Sequence, residues 1–477
     1  MSENLKQKTT KGVLWSSIER FSNQGVQFIF GIILARILSP KEYGIVAMVT
    51  VFFAVSQTFI EGGFGAALIR KKDRTDNDMS TCFWFNVGVG IFFYLLLFLT
   101  APFIPQFYKQ PILEPIIKVS GFEVIFYSFC IVQQTRFIIK VDFKRQARIT
   151  IFATLISGLT GIILAYLGYG VWSLVIQGIL CAFLQMILLW VMSKWIPNRR
   201  FSIDSFKYLW GFGSKMLISG LLDTLYNNIY PIIIGKFYSP AQLGNFARAQ
   251  GWAGFPSNNL TSILQRVTFP VLSEIQDDDE RFIHSFRRIL RMSSFIVFPL
   301  MLGLAAVSSP LVRVVVTSKW DGCTPLLQII CFALMWYPVH AINLNLLQIK
   351  GRSDLFLRLI ILKIIVGLGV MCFTIPIGIT AMCVGMVISS LLTLKLDTYY
   401  TGKFINWGFF RQLRDLFPIF LNSLIMGVLV YLSIYYIHTE WIKLFAGCCF
   451  GFVFYITGAY FLSKSELKEV IHIIRGK

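Results

Sequence analysis

The stretch Ile29–Ala47 reads IFGIILARILSPKEYGIVA, and two hundred positions later Ile229–Ala247 reads IYPIIIGKFYSPAQLGNFA. Seven positions are identical: Ile29, Ile32, Ile33, Ser39, Pro40, Gly44 and Ala47 match Ile229, Ile232, Ile233, Ser239, Pro240, Gly244 and Ala247. Arg36 aligns with Lys236, keeping the charge. Each copy is the end of an apolar helix, a tight Ser-Pro turn and the start of another apolar helix. The chain therefore reads as two copies of one membrane unit, an arrangement on which many secondary transporters are built.

Composition agrees. The 477 residues are 56% hydrophobic and only 14% charged, where a soluble domain carries about 25% charge. Apolar runs recur at the roughly 20-residue length of a bilayer crossing. Runs and turn residues give about fourteen spans. They lie near 12–38, 43–67, 82–105, 114–137, 147–168, 171–193, 208–235, 241–268, 290–312, 324–348, 356–375, 378–400, 413–437 and 441–463. The expected fold is an all-α polytopic membrane protein with two parallel six-helix lobes and an appended helix pair. The expected boundaries are 1–194 for the first lobe, 195–207 for a cytoplasmic linker, 208–402 for the second lobe and 403–477 for the last two helices and tail. Met1–Lys11 is polar and no small-residue cleavage site follows the first apolar run, so no cleavable signal peptide is expected.

The net charge of +20 follows from loops on one side of the membrane rather than from nucleic-acid binding. Alternate loops hold 32 of the 44 Lys and Arg residues; the opposite set holds five, Lys41, Lys109, Lys236, Arg313 and Lys319. The positive-inside bias places both termini in the cytoplasm. The nine cysteines are scattered without CxxC or metal spacing and read as small apolar residues. There is no HExxH and no phosphate-cradling glycine loop. No enzyme activity, cofactor or metal is expected.

Charges inside the spans carry the information. Each costs about 2.5–3.5 kcal/mol at mid-membrane, so it usually faces water or a partner. The first helix bears Glu19, Arg20, Asn23, Gln24 and Gln27 along one stripe. The second ends at Glu61, the seventh has Lys215, Asp223 and Asn227, and the eighth has Asn245 and Arg248. If helices 1, 2, 7 and 8 meet at the repeat axis, these residues line one polar cavity. Its cations are Arg20, Lys215 and Arg248, and arginine offers planar donors suited to phosphate. The candidate substrate-binding set is Arg20, Arg248, Lys215, Asn23, Gln24, Gln27, Asn227 and Asn245. The ion-coupling candidates are Asp223, Glu19 and Glu61. His340 reads as a polar contact within the bundle. Lys118 with Glu123, Lys363 and Asp397 read as structural pairs or snorkelling groups. Gln276–Glu280 reads as the acidic start of a basic amphipathic helix on the cytoplasmic surface.

Several motifs carry a resemblance: Gly12 and Trp15, LARILSPKEYG at Leu34–Gly44, and EGGFGAALIRKKD at Glu61–Asp73. So do FPVLSEIQDDDERF at Phe269–Phe282, FRRILR at Phe286–Arg291 and LLQIKGRSDLFLRL at Leu346–Leu359. In their order and spacing the chain resembles the polysaccharide-transport branch of the multidrug/oligosaccharidyl-lipid/polysaccharide (MOP) exporter superfamily, especially Wzx-type flippases. The resemblance implies two lobes around a cationic cavity and movement of an undecaprenyl-diphosphate-linked oligosaccharide from the inner to the outer leaflet of a bacterial plasma membrane. It implies alternating access driven by sodium or protons, contact with membrane lipids, and association with polysaccharide polymerase machinery. A superfamily relative exporting small-molecule drugs is the alternative. A membrane-embedded polymerase or ligase fits less well, because the chain lacks a large outer loop for catalytic groups.

Overall fold

Side-chain caps open several helices, at Thr75, Asp142, Ser202 and Asp278. The computed structural model describes residues 23–474, and these form α-helices with no strand among the described residues. Residues 23–37 form α1. There follow α2 (Pro40–Glu61), α3 (Phe64–Arg70), α4 (Asp76–Thr100), α5 (Ile104–Tyr108), α6 (Leu113–Ser120), α7 (Phe122–Ile139), α8 (Phe143–Tyr166), α9 (Val171–Ser193) and α10 (Ile203–Phe237). The remainder comprises α11 (Pro240–Glu274), α12 (Asp279–Ala306), α13 (Ser308–Val315), α14 (Cys323–Leu334), α15 (Tyr337–Ile349), α16 (Ser353–Thr374), α17 (Ile379–Ile405), α18 (Phe409–Tyr435), α19 (Glu440–Leu462) and α20 (Lys464–Ile474).

Among the described residues, eleven elements or element pairs are long and apolar enough to cross a membrane. The pairs α2–α3, α6–α7 and α14–α15 each make one span. The other three expected positions fall on α1, described only from residue 23, and on α10 and α11. These two 35-residue helices are interrupted by Lys, Arg, Asp and Asn. Packing divides the chain after Gly244 into two compact units.

In the first unit, α4 packs on α7, α7 and α8 on α9, and α10 on α2. Its core is aromatic: Phe64, Phe83 and Trp195 are buried together, and Phe64 stacks on Phe85 at 4.3 Å. The segment after α9 is docked rather than slack. Gln133 donates to the Trp195 carbonyl at 3.3 Å, Asn198 N–H donates to Ser80 Oγ at 2.9 Å, and Ser202 N–H donates to Thr81 Oγ1 at 3.0 Å.

The repeated turns explain their shared residues. Pro40 takes the first turn of α2, where its missing N–H costs nothing, and Glu42 accepts from the Ser39 N–H at 2.6 Å. In the second copy Gln242 accepts from the Ser239 N–H at 3.0 Å, and its own N–H donates to Ser239 Oγ at 3.3 Å. The turns then cross. A Cβ on Gly44 would lie 1.7 Å from the Pro240 carbonyl oxygen, and one on Gly244 would lie 1.9 Å from that of Pro40. Only glycine permits this backbone-on-backbone approach.

The second unit is built on α12 with α18, α18 with α19, and α17 with α14 and α16. Buried amides tie it together. Asn343 Nδ2 donates to Gln412 Oε1 at 3.0 Å, Gln412 Nε2 returns a bond to Asn343 Oδ1 at 2.9 Å, and Thr401 Oγ1 donates there at 2.6 Å. On sequence grounds a helix lying on the membrane surface is expected after Gln276. Instead, Asp278 caps α12, accepting from Arg281 N–H at 3.1 Å, and the helix runs unbroken to Ala306. The arginines of its first turns are held by acids. Arg287 makes a two-bond pair with Asp415 at 2.9 and 3.0 Å, Arg288 pairs with Glu469 and Arg291 with Glu466. Phe282 and Phe286 are buried on the same helix, which seats it in the bundle.

Overpacking costs about 1–3 kcal/mol when side chains can move aside, and here the obstacle is backbone. Gly44→Ala is expected to destabilise the purified protein by at least about 3 kcal/mol. Gly88→Ala, where an added Cβ meets nothing within 4 Å, should leave the melting temperature unchanged. Equal melting curves for both variants would contradict the crossing.

Candidate functional site

Two contacts set the register of α10 on α2. A Cβ on Gly213 would lie 2.7 Å from the Gly62 carbonyl oxygen, and the Thr58 and Thr224 hydroxyls lie 2.8 Å apart. This brings Lys215 to the level of Gly62 and Asp223 to that of Thr58. Lys215, Asp223 and Asn227 are all exposed, whereas Leu209, Gly213, Ile234 and Gly235 make the buried side of α10. Asp223 is eight residues beyond Lys215, about 12 Å along a helix, so the two cannot form a direct pair. Glu61, also exposed, accepts a short hydrogen bond from the Tyr127 hydroxyl of α7.

The first helix divides its polar residues. Asn23 accepts from Thr154 Oγ1 of α8 at 3.1 Å, which uses it within the bundle. Gln24 is half-buried and Gln27 is exposed. Glu19 and Arg20 lie outside the described residues.

In the second unit Asn245 and Arg248 share one face of α11. The Arg248 guanidinium stands over the ring of buried Trp320 at 5.1 Å from its centroid. Asn245 fills the space beside Gly322. The ring orients the guanidinium plane and lowers the cost of holding its charge.

Three groupings were not legible from spacing. Lys118 pairs with Glu114 at 2.7 Å rather than with Glu123. Glu123 instead lines a cavity of about 220 Å³ with Thr50, Gln57 and Ser120. His340, Lys363 and Asp397, far apart in sequence, meet in one cluster.

The pattern is a membrane bundle with ionisable residues on the exposed faces of its least apolar helices. The model of the family described as "Polysaccharide biosynthesis protein" matches residues 33–325, which takes in both Ser-Pro turns. The chain belongs to that family. It is similar to the teichuronic acid biosynthesis protein TuaB of Bacillus subtilis, with 26% identity over 356 residues, 74% of this chain and 73% of that protein. It is also similar to the lipopolysaccharide biosynthesis protein WzxC of Escherichia coli, with 27% identity over 370 residues, 76% of this chain and 74% of that protein. The fold is that of the lipid II flippase MurJ in an inward closed conformation, with a TM-score of 0.77 at 15% identity over 95% of this chain and 99% of that one. These likenesses agree with the resemblance that the motifs carry. The chain is a multi-pass membrane protein.

Exposure on α10 can be tested directly. Cysteines replacing Asp223 and Asn227 should react with a small water-soluble maleimide, because thiolates form only where water reaches. A cysteine replacing Ile234, which is fully buried, should not react. Unreactive cysteines at both 223 and 227 would place that face in lipid.

Proposed function

We propose that the chain moves an undecaprenyl-diphosphate-linked oligosaccharide from the inner to the outer leaflet of a bacterial plasma membrane. The observation that carries this reading is the exposed polar stripe of Lys215, Asp223 and Asn227 on a helix packed among membrane spans. Charges on such a helix persist only with water or a polar cargo against them. A sugar-diphosphate headgroup is such a cargo. It cannot cross hydrocarbon unaided, while its isoprenoid tail can remain in lipid. Family membership and the names of the relatives point to the same glycan chemistry.

In this reading Arg20 and Arg248 hold the diphosphate, with Lys215 as a further cation. Asn23, Gln24, Gln27, Asn227 and Asn245 offer amides to phosphate or sugar hydroxyls. Trp320 fixes the Arg248 plane, as bidentate phosphate recognition requires. Transport proceeds by alternating access coupled to a sodium or proton gradient, with Asp223, Glu19 and Glu61 as carboxylates on the path. Both termini lie in the cytoplasm, and polysaccharide polymerase machinery receives the product.

Export of surface glycan by cells carrying variants tests the reading. Arg248→Ala should reduce export at least tenfold at normal protein levels. Arg248→Lys should recover part of it, keeping the charge but losing the planar fork. Full export by the Arg20→Ala/Arg248→Ala double variant would sink the assignment.

A further inference from the structure

Lys363 of α16 and His340 of α15 converge on a single carboxylate oxygen. Asp397 Oδ2 of α17 lies 2.6 Å from Lys363 Nζ and 2.7 Å from His340 Nδ1. The Asp397 side chain is fully buried, and those of His340 and Lys363 are 13% and 15% exposed. At 1.5 Å per residue, each group lies ~12–15 Å from the end of its helix that the charge bias places in the cytoplasm. All three therefore share one depth inside the membrane.

Hydrogen-bond capacity at His340 leaves two states. Asp397 Oδ2 accepts from Lys363 Nζ, so the bond from His340 to that oxygen is donated by Nδ1, which carries a proton in both states. Nε2 lies 3.1 Å from Ser390 Oγ, and Ser390 Oγ lies 3.2 Å from the Ala333 carbonyl, which also only accepts. One hydroxyl proton cannot serve both. When Ser390 donates to Ala333, Nε2 must bear its own proton and the ring is an imidazolium. When Ser390 turns to Nε2, the ring is neutral and the Ala333 carbonyl is released.

That carbonyl belongs to a break in the span. The helix stops at Leu334 and resumes at Tyr337. Hydroxyls take two carbonyls there, with Ser390 on Ala333 and Ser257 Oγ on Leu334 at 2.8 Å. In a membrane such carbonyls must find partners, so the charge on His340 governs a bond that holds the break.

We propose that His340 binds and releases the proton whose gradient drives export, with Asp397 and Lys363 stabilising its charged form and Ser390 relaying its state to the α14–α15 break. The driving role rests on the export reading above; the proton site does not. The proton joins Nε2 from solvent and returns to solvent, and no other covalent bond changes. Neighbouring charges among the described residues are exposed or held by other partners. The α14 sequence has none, and Arg358 and Lys395 are exposed. Lys350 is taken by the Gln276 carbonyl at 2.7 Å. The arginines of α12 pair with Asp415 of α18 and with Glu466 and Glu469 of α20.

The chain has four histidines, so the full-length protein labelled with nitrogen-15 histidine can be titrated in phosphatidylethanolamine/phosphatidylglycerol nanodiscs. His340→Gln identifies the signal. The His340 ring should gain one proton as the pH is lowered across the range in which the protein stays folded. Ser390→Ala should weaken that proton about tenfold, the loss of one hydrogen bond to a charged group, and leave the other three rings unchanged. A His340 signal fixed in one state across this range overturns the site. Asp397→Asn strands Lys363 and can fail to fold, so Lys363→Met/Asp397→Asn, which removes both charges, is the second variant. Its His340 should hold the proton at least tenfold less tightly, and an unchanged titration overturns the role of the pair. In cells that depend on this chain for export, nigericin should stop export by the wild type, and His340→Gln should export at under a tenth of its rate. Wild-type export indifferent to nigericin overturns the driving role. Cells that export without this chain overturn the export reading while the ring titration still decides the proton site.

Discussion

Within hydrocarbon a polar group persists only with a partner or with water, and this demand sorts every polar residue in the spans. One class is fully partnered: Asn343 with Gln412 and Thr401, and Asn23 with Thr154. A second class has partners that leave a choice open, as where the Ser390 hydroxyl lies within reach of both His340 and Ala333. A third class, Lys215, Asp223 and Asn227, stands exposed on α10. Bundle cohesion, a bistable proton position and a wet surface thus arise from one solvent rule applied to different neighbours.

The two Ser-Pro turns show how a repeat becomes structure. Serine, proline and the Glu or Gln three positions after the serine build the cap, and the glycine lets the two turns cross at backbone contact. Ile29, Ile32 and Ile33 with their counterparts Ile229, Ile232 and Ile233 lie outside this turn, on the preceding helices. The identities that survive between the copies at Ser39, Pro40 and Gly44 are those with a geometric task. Side chains elsewhere in the copies differ, as where Ile45 aligns with Asn245.

Most of the fold was legible in the sequence because apolar length and turn chemistry are local signals. The eleven apolar spans, the Ser-Pro turns and the acidic cap before α12 all sit where those signals place them. Breaks inside spans were hidden. Hydrophobicity runs on through Met335 and Trp336, and only Pro338, which has no N–H for the Leu334 carbonyl, marks the place where the helix stops. Partners of charges were hidden too. Lys118 chose Glu114, one helical turn away, over Glu123, and His340 met residues of α16 and α17 that no spacing rule connects to it. Arg287, Arg288 and Arg291 of α12, read as part of a basic amphipathic helix on the cytoplasmic surface, found acids on α18 and α20 that only the folded bundle brings near. Of the proposed site, the exposure of the α10 stripe is in the structure, and Glu19 and Arg20 lie outside the described residues.

The central claim is that a lipid-linked glycan changes leaflet through this protein. It is tested most directly by deleting the gene and measuring, in inside-out and right-side-out vesicles, which leaflet holds the undecaprenyl-diphosphate-linked repeat unit. The account predicts that the unit accumulates on the cytoplasmic leaflet and returns to the outer one when the chain is restored. A deletion strain whose repeat unit still reaches the outer leaflet at the normal rate would contradict it.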